Sequence, residues 1–340
     1  MKLTVARFTG GGFHPSTGKL FVQGLMGMNY NPPMRRMLVI VCARDEEETL
    51  SRCLDSLLGQ SRRVDRIVIV DDGSSDSTPE ICERYAATHD NVVAVHRQRS
   101  GREGGAVVRG IEIAKAFNSG LEAVGGEVFD YLAKVDADMV LSRNYMDLVV
   151  SEFEVDPRLG LAGGVTVNEP THQVRGGNRV FRWSCWMDVS WNGRMPLVDA
   201  EDTYTTVKAL YKGWRVKLIL EARSIHLRSG RVKGLRRTAL ERLRVGAACY
   251  ALGYHPLLFL GRSMLRTLSP PYLAGFIASL TGWIHAWIRR AEVEEELRSY
   301  LRRMQIQRLK GIIRSPGRVK SLIQGLRGRG AACKSCNQVS

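Results

Sequence analysis

Residues 66–78 read RIVIVDDGSSDST, and residues 131–138 read YLAKVDAD. Each stretch is an apolar run of strand length that stops at acids. Arg66-Ile67-Val68-Ile69-Val70 leads into Asp71-Asp72, and Tyr131 to Val135 leads into Asp136-Ala137-Asp138. Nearly continuous apolar runs belong to strands buried on both faces, as in a parallel sheet. Acids at the carboxyl ends of such strands line the ligand crevice of an open α/β sheet. Glu201-Asp202, further along, makes a third acidic station.

The segments around these runs alternate strand and helix. Met37–Val41 reads as a buried strand, and Glu46–Leu58 as an amphipathic helix with Leu50, Leu54, Leu57 and Leu58 on one face. Thr78 is placed to cap a second helix, with Pro79 in its first turn. Strands are expected at Asn91–His96, Val128–Val135 and Leu159–Val167, and helices at Gly104–Phe117 and Asn144–Phe153. This rhythm predicts an α/β fold with a mostly parallel sheet and helices on both faces. From Glu169 to Leu197 the chain reads as a loop rich in Gly, Arg and Trp. A helix at Glu201–Tyr211 and a strand at Arg215–Leu220 follow, and from about Gly234 the chain reads as helical. The expected divisions are a disordered extension (1–33), an α/β domain (34–230), a basic helical region (231–328) and a flexible tail (329–340).

Charge is unevenly spread. Residues 1–214 carry 25 Lys+Arg against 28 Asp+Glu, whereas residues 215–330 carry 24 against 6, a net of +18. Such a basic third suits an anionic partner. Residues 273–288 form an uncharged apolar stretch followed by Arg289 and Arg290, with Trp283 and Trp287 near its end. That profile fits a helix packed in the core, one lying at a membrane interface, or a short span. The seven cysteines are odd in number and scattered, which suggests free thiols in a reducing compartment. Cys333 and Cys336 read as part of the loose tail.

The chemistry can be narrowed from the strand ends. A dinucleotide-binding fold seats a pyrophosphate on a Gly-rich turn after the first strand. Here that turn is Cys42-Ala43-Arg44-Asp45, followed by Glu46, Glu47 and Glu48, which would repel phosphate. A Rossmann dehydrogenase is therefore disfavoured. A carboxylate at Asp71-Asp72 can accept the imide proton of a nucleobase. Asp136 and Asp138 make a D-x-D of the kind that holds a hard cation such as Mg²⁺ or Mn²⁺ together with substrate phosphates.

In order, MLVIVCARDEEETLSRCLDSLLGQ, RIVIVDDGSSDSTPEI, GREGGAVVRGI, YLAKVDADMVL and AEDTY resemble the family 2 glycosyltransferases of GT-A fold, over roughly residues 37–230. The chain departs from that pattern in Cys42 to Glu46, where the family usually has Pro-x-x-Asn-Glu, and in Val108, where it often has Asn. The resemblance implies inverting transfer from a UDP- or GDP-sugar to an acceptor hydroxyl or lipid phosphate. Ala43, Arg44 and Asp72 would hold the base, Arg102 would flank the nucleotide and Asp136 would touch the ribose. Asp138 would ligate the metal. His226, expected just past a strand, stands where relatives carry a metal- or phosphate-contacting residue. Glu201 and Asp202 match the acidic pair, with Asp202 as the base. Arg228, Arg231, Lys233, Arg236 and Arg237 could grip a phosphate. The expected setting is cytoplasmic, peripheral on the inner membrane face, with a lipid-linked or glycan acceptor. A sugar-phosphate nucleotidyltransferase is the alternative enzyme, but its Gly-rich turn is missing after the first strand. A basic nucleic-acid-binding protein is the non-enzymatic alternative. It is disfavoured because the acidic crevice would repel a phosphate backbone.

Overall fold

A computed structural model of the chain describes residues 35–98, 109–169, 171, 173–228, 234–265, 267, 272–290 and 293–313. The expected N-terminal extension, the Gly-rich loop with Arg102, and the tail with Cys333 and Cys336 lie outside these residues. Eight strands form one sheet: β1 (Met37–Ala43), β2 (Arg66–Asp71), β3 (Val92–His96), β4 (Tyr131–Asp136), β5 (Met139–Leu141), β6 (Leu159–Thr166), β7 (Asn178–Arg182) and β8 (Arg215–His226). Their order across the sheet is β3-β2-β1-β4-β7-β6-β8-β5. β1 pairs in parallel with β2 and β4, β2 with β3, and β6 with β8. Only β7 and β5 run against their neighbours.

Both faces of the sheet are buried, as the apolar runs require. Met37, Val39, Val41, Ile67 and Ile69 enter one core with helices α1 (Leu50–Leu58), α2 (Thr78–Thr88) and α4 (Tyr145–Val155). Leu38, Ile40, Val68 and Val70 enter the other, with α3 (Arg109–Ala123) and α5 (Trp183–Val189). The alternation of a strand's side chains sends successive residues to opposite faces.

Four expectations need correction. α1 begins at Leu50 rather than Glu46, because the N–H groups of Asp45, Glu46 and Glu47 bond to the loop after β2. Thr78 does not cap α2; Asp76 Oδ1 accepts the Thr78 N–H at 3.0 Å, and Thr78 Oγ1 serves Glu46 instead. The stretch read as a loop contains β7 and α5. Five residues with a polar first position give β7 little local signature, and its pairing with β4 and β6 is long-range. β8 continues past Leu220 to end at His226, which is therefore inside the strand, paired with Met139 of β5.

The C-terminal helices are α7 (Leu235–Ala251), α8 (Pro256–Leu265), α9 (Tyr272–Ile288) and α10 (Glu295–Ile313). α7 and α9 approach through Gly246 and Gly282, where a Cβ would run into the carbonyl oxygens of Ser279 and Leu243. α10 packs on α6 (Glu201–Tyr211) through Tyr204, Val207, Leu297 and Leu301. The Tyr204 hydroxyl donates to Glu294 at 2.7 Å, and Lys208 pairs with the same carboxylate at 2.9 Å. α9 buries its small residues Gly275, Ser279, Gly282 and Ala286. It leaves Leu273, Ile277, Ile284, Trp287 and Ile288 exposed. No helix of the described residues is long and apolar enough to cross a membrane.

Candidate active site

The loops after β1 and β2 are sewn to each other. The Asp45 N–H donates to Ser74 Oγ (3.0 Å), Glu46 N–H to Thr78 Oγ1 (2.8 Å) and Glu47 N–H to Asp76 Oδ2 (3.1 Å). In return, Ser75 N–H donates to Asp45 Oδ1 (2.8 Å) and Ser77 N–H to Glu47 Oε2 (3.1 Å). Asp45 takes a left-handed φ of 51° to make this turn. Buried Ala43 accepts the Asp72 N–H at 2.9 Å, and the Arg44 side chain is exposed beside it. Asp71 is occupied locally: Ser74 donates to it from both N–H (3.0 Å) and Oγ (2.5 Å). Asp72 pairs with Arg97, whose second nitrogen holds Glu112 at 3.0 Å. Burial pushes the Asp72 carboxyl above its usual range, and Arg97 offsets only part of that rise.

Lys134, in the middle of apolar β4, is buried and reaches the end of the same strand. Its ammonium lies 2.7 Å from Asp136 Oδ1, 3.3 Å from the Gly176 carbonyl and 3.9 Å from Glu201 Oε1. Burial would lower its pKa, but Asp136 and Glu201 outweigh burial and hold it up. Conversely, burial raises Asp136, and Lys134 more than cancels this, keeping the carboxyl below its ordinary value. Glu201 is left on the other side of that balance: burial dominates, Asp202 adds to it, and its pKa is pushed up to about 7.

Gly176-Gly177 runs between the D-x-D and the acidic pair. A Cβ at 177 would lie 2.6 Å from Asp136 Oδ2, and one at 176 would lie 3.2 Å from Asp202 Oδ2. A side chain at 177 would collide with Asp136, and one at 176 would press against Asp202. Asp202 sits in the first turn of α6, after Ala200 in the left-handed region (φ 65°). Its Oδ1 accepts the Thr203 N–H at 2.6 Å. Arg179 of β7, fully buried, supports this turn by donating to the Asp202 carbonyl (2.9 Å) and Thr205 Oγ1 (3.0 Å).

Asp138 and His226 meet because β5 pairs with β8. Asp138 Oδ2 is 2.9 Å from His226 Nε2, and Glu169 Oε1 is 3.1 Å from Nδ1. Burial lowers the imidazole pKa, but the two carboxylates raise it by more. Among the described residues no group of three acids, histidines or cysteines is arranged to hold a metal. A Mg²⁺ or Mn²⁺ ion does not need three, since substrate phosphates and water complete its shell. The donor set fits: without a cation the imidazolium form donates to both Asp138 and Glu169, and a metal held between Asp138 and Nε2 would take the place of the Nε2 proton while Nδ1–H stays on Glu169, the usual outer support of a ligating histidine.

Thus Asp136, Asp138, Glu201, Asp202 and His226 gather at the carboxyl end of the sheet, and Ala43, Arg44 and Asp72 line the neighbouring strand ends. Of the five basic residues expected to grip phosphate, Arg228 pairs with Glu46 at 2.9 Å. The structure does not describe Arg231 and Lys233 or the side chains of Arg236 and Arg237. The sequence reading passed over Lys134, Glu169, Arg97, Arg179 and Gly176-Gly177 as site residues. Lys134 alone had a visible sign, a single cation inside an apolar strand.

Glu201 supplies a pH test. Its folded pKa of about 7 exceeds its ordinary 4.5, so between those values the folded protein keeps a proton that the unfolded chain has released. Folding stability from this group therefore falls as pH rises through the window. Glu201→Gln should flatten that slope in urea denaturation measured from pH 4.5 to 7. Wild-type and variant slopes that coincide would contradict the assignment.

Comparison with known proteins gives the chain's family. A family model described as glycosyl transferase family 2 matches residues 38–244. Glycosyltransferase GlyA of Streptococcus pneumoniae is 27% identical over 128 residues, 37% of this chain and 16% of that protein. Poly-β-1,6-N-acetyl-D-glucosamine synthase of Staphylococcus aureus is 25% identical over 125 residues, 37% of this chain and 27% of that protein. The chain thus spans only a minor part of the length of these curated relatives. The solved mannosyltransferase PcManGT of Pyrobaculum calidifontis, in complex with GDP-Man and Mn²⁺, superposes with a TM-score of 0.52 at 19% identity, covering 86% of this chain and 84% of that one. With well over half its length matched by the family model, and the GT-A fold in common with that solved structure, the chain belongs to glycosyl transferase family 2.

Proposed function

We propose that the protein transfers a sugar from a UDP- or GDP-sugar to an acceptor hydroxyl with inversion, using a divalent cation. The observation that carries this reading is the Gly176-Gly177 turn, which abuts Asp136 on one side and Asp202 on the other. A donor held at Asp136 and an acceptor held at Asp202 would meet across a turn that has no side chain to obstruct them. In this reading Ala43, Arg44 and Asp72 receive the base, with Arg102 flanking the nucleotide, and Asp136 takes the ribose. Asp138 and His226 would hold the Mg²⁺ or Mn²⁺ ion. When bound, such an ion supplies charge neutralisation at the leaving diphosphate.

Asp202 would take the proton of the acceptor hydroxyl as its oxygen attacks the anomeric carbon. The bond to the diphosphate breaks on the opposite face, and the electron pair leaves with the diphosphate oxygen. Glu201, held toward Lys134, would set the charge around Asp202 rather than react. Asp202→Asn should lower turnover by roughly 10²–10⁴, the range for removal of a general base, and leave nucleotide affinity intact. Asp138→Ala and His226→Ala should instead remove the Mn²⁺ dependence of nucleotide binding. Near-normal turnover in the first variant, or an unchanged Mn²⁺ dependence in the other two, would sink these roles.

The same reading places the enzyme in the cytoplasm, peripheral on the inner membrane face. Its support is the outward face of α9, where exposed Leu273, Ile277, Ile284, Trp287 and Ile288 adjoin Arg289 and Arg290. Apolar insertion and attraction to anionic lipid reinforce each other at such a face. Cosedimentation with anionic vesicles should occur at low salt and weaken as salt rises. Protein that stays in the supernatant at low salt would remove the membrane from the account.

A further inference from the structure

A cleft of about 590 Å³ opens beside Asp202, between α6 and the C-terminal helices. That volume is in the range of small-molecule sites, roughly 300–1,000 Å³. Its lining changes character from place to place. Asp202, Thr203 and Thr206 give it a polar patch at the start of α6. Val207, Leu210, Leu301 and Met304 give it an aliphatic wall shared by α6 and α10. Arg262 of α8 and Arg308 of α10 add two cations.

The charges on this lining do not balance. Asp202 is the sole carboxylate among the lining residues, against Arg179, Arg262 and Arg308. Arg179 is already committed to the Arg175 and Asp202 carbonyls and to Thr205. Among the described residues no carboxylate lies within salt-bridge reach of Arg262 or Arg308. Both act electrostatically on the same half-buried phenol, Tyr254, which hydrogen-bonds Arg262. Arg262 and Arg308 are exposed at the rim of the same cleft, so an anion entering it would meet two cations, and phosphate is the anion their planar forks match best.

The rest of the cleft narrows the ligand further. Gln173, Gln305 and the Tyr254 ring add hydrogen-bonding groups and one aromatic face, while the aliphatic wall suits an apolar segment that a neutral glycan lacks. α8, which carries Arg262, also turns Leu257, Leu260, Met264 and Leu265 outward to solvent. The cation site therefore borders an apolar surface as well as an apolar wall.

We propose that this cleft is the acceptor site, and that the acceptor is an anionic amphiphile. Its hydroxyl faces Asp202, its phosphate lies between Arg262 and Arg308, and its apolar segment lies along Leu301 and Met304. The proposal rests on the reading of Asp202 as the base. In the step it serves, the acceptor oxygen bonds to the anomeric carbon and its proton passes to Asp202. The donor's bond to the diphosphate breaks, and the electron pair goes to the diphosphate oxygen.

The test is calorimetric binding to the full chain with three probes: dodecyl phosphate below its micelle concentration, inorganic phosphate, and neutral dodecyl glucoside. Wild type is compared with Arg262→Gln/Arg308→Gln, and Mn²⁺-dependent UDP and GDP affinities are measured on the same samples. Dodecyl phosphate should bind at least about 10-fold more tightly than either other probe, as charge-assisted hydrogen bonds allow. The double variant should lose about 10-fold or more of that affinity and keep its nucleotide affinity. Equal binding of the neutral probe, equal binding of inorganic phosphate, an unaffected double variant, or competition between dodecyl phosphate and nucleotide would each overturn the proposal. Absence of nucleotide binding in the wild type would instead overturn the donor reading, while the three probes still decide what the cleft binds.

Discussion

A single buried ammonium holds the site together. Lys134 sits in an apolar strand where an unpaired charge would cost several kcal/mol of desolvation. Asp136 and Glu201 make that burial tolerable, and in doing so they are tied to each other. One contact thus joins the end of β4 to the start of α6, with the Gly176 carbonyl as a third partner. These are the segments that carry the donor-side carboxylate and the candidate base. The same contact sorts the acids by role. Asp136 stays ionised because its cation is 2.7 Å away, whereas Glu201, at 3.9 Å and buried, is held near neutrality.

From this anchor the two halves of the site diverge. On the proposed donor side the loops after β1 and β2 bond to each other through N–H groups, a hydroxyl and carboxylates, which fixes Ala43 and Asp72. On the proposed acceptor side α6 packs on β6 and β8 and is covered by α10 through Tyr204, Val207, Leu297 and Leu301. The basic C-terminal helices therefore complete the wall of the cleft that begins at Asp202. Their charge reads as part of the proposed site as well as a feature of the surface.

Much of this was legible in the sequence because the strongest elements are locally encoded. Runs such as Ile67 to Val70 have one stable use, a strand buried on both faces, and acids at their ends mark the crevice. The D-x-D and the Glu201-Asp202 pair could be found for the same reason. β7 and α5 could not, since Asn178–Arg182 is short and acquires its meaning only between β4 and β6. His226 was recognised by resemblance, but its partner Glu169 was not, because the two meet only through the pairing of β6 with β8 and the turn after β6. Arg179 and Gly176-Gly177 looked like loop residues until β7 placed them beneath the acids.

The arrangement of the acids bears directly on mechanism. A single displacement needs one acid free to take the acceptor's proton; Glu201 is buried against Lys134, and Asp136 shares that ammonium. Asp202 remains as the acid facing the cleft, and a lone base suits a single displacement. With water as acceptor, proton NMR of donor hydrolysis resolves the first anomer released before mutarotation. The account predicts that an α-linked sugar nucleotide yields the β-anomer first. The α-anomer as first product would contradict it.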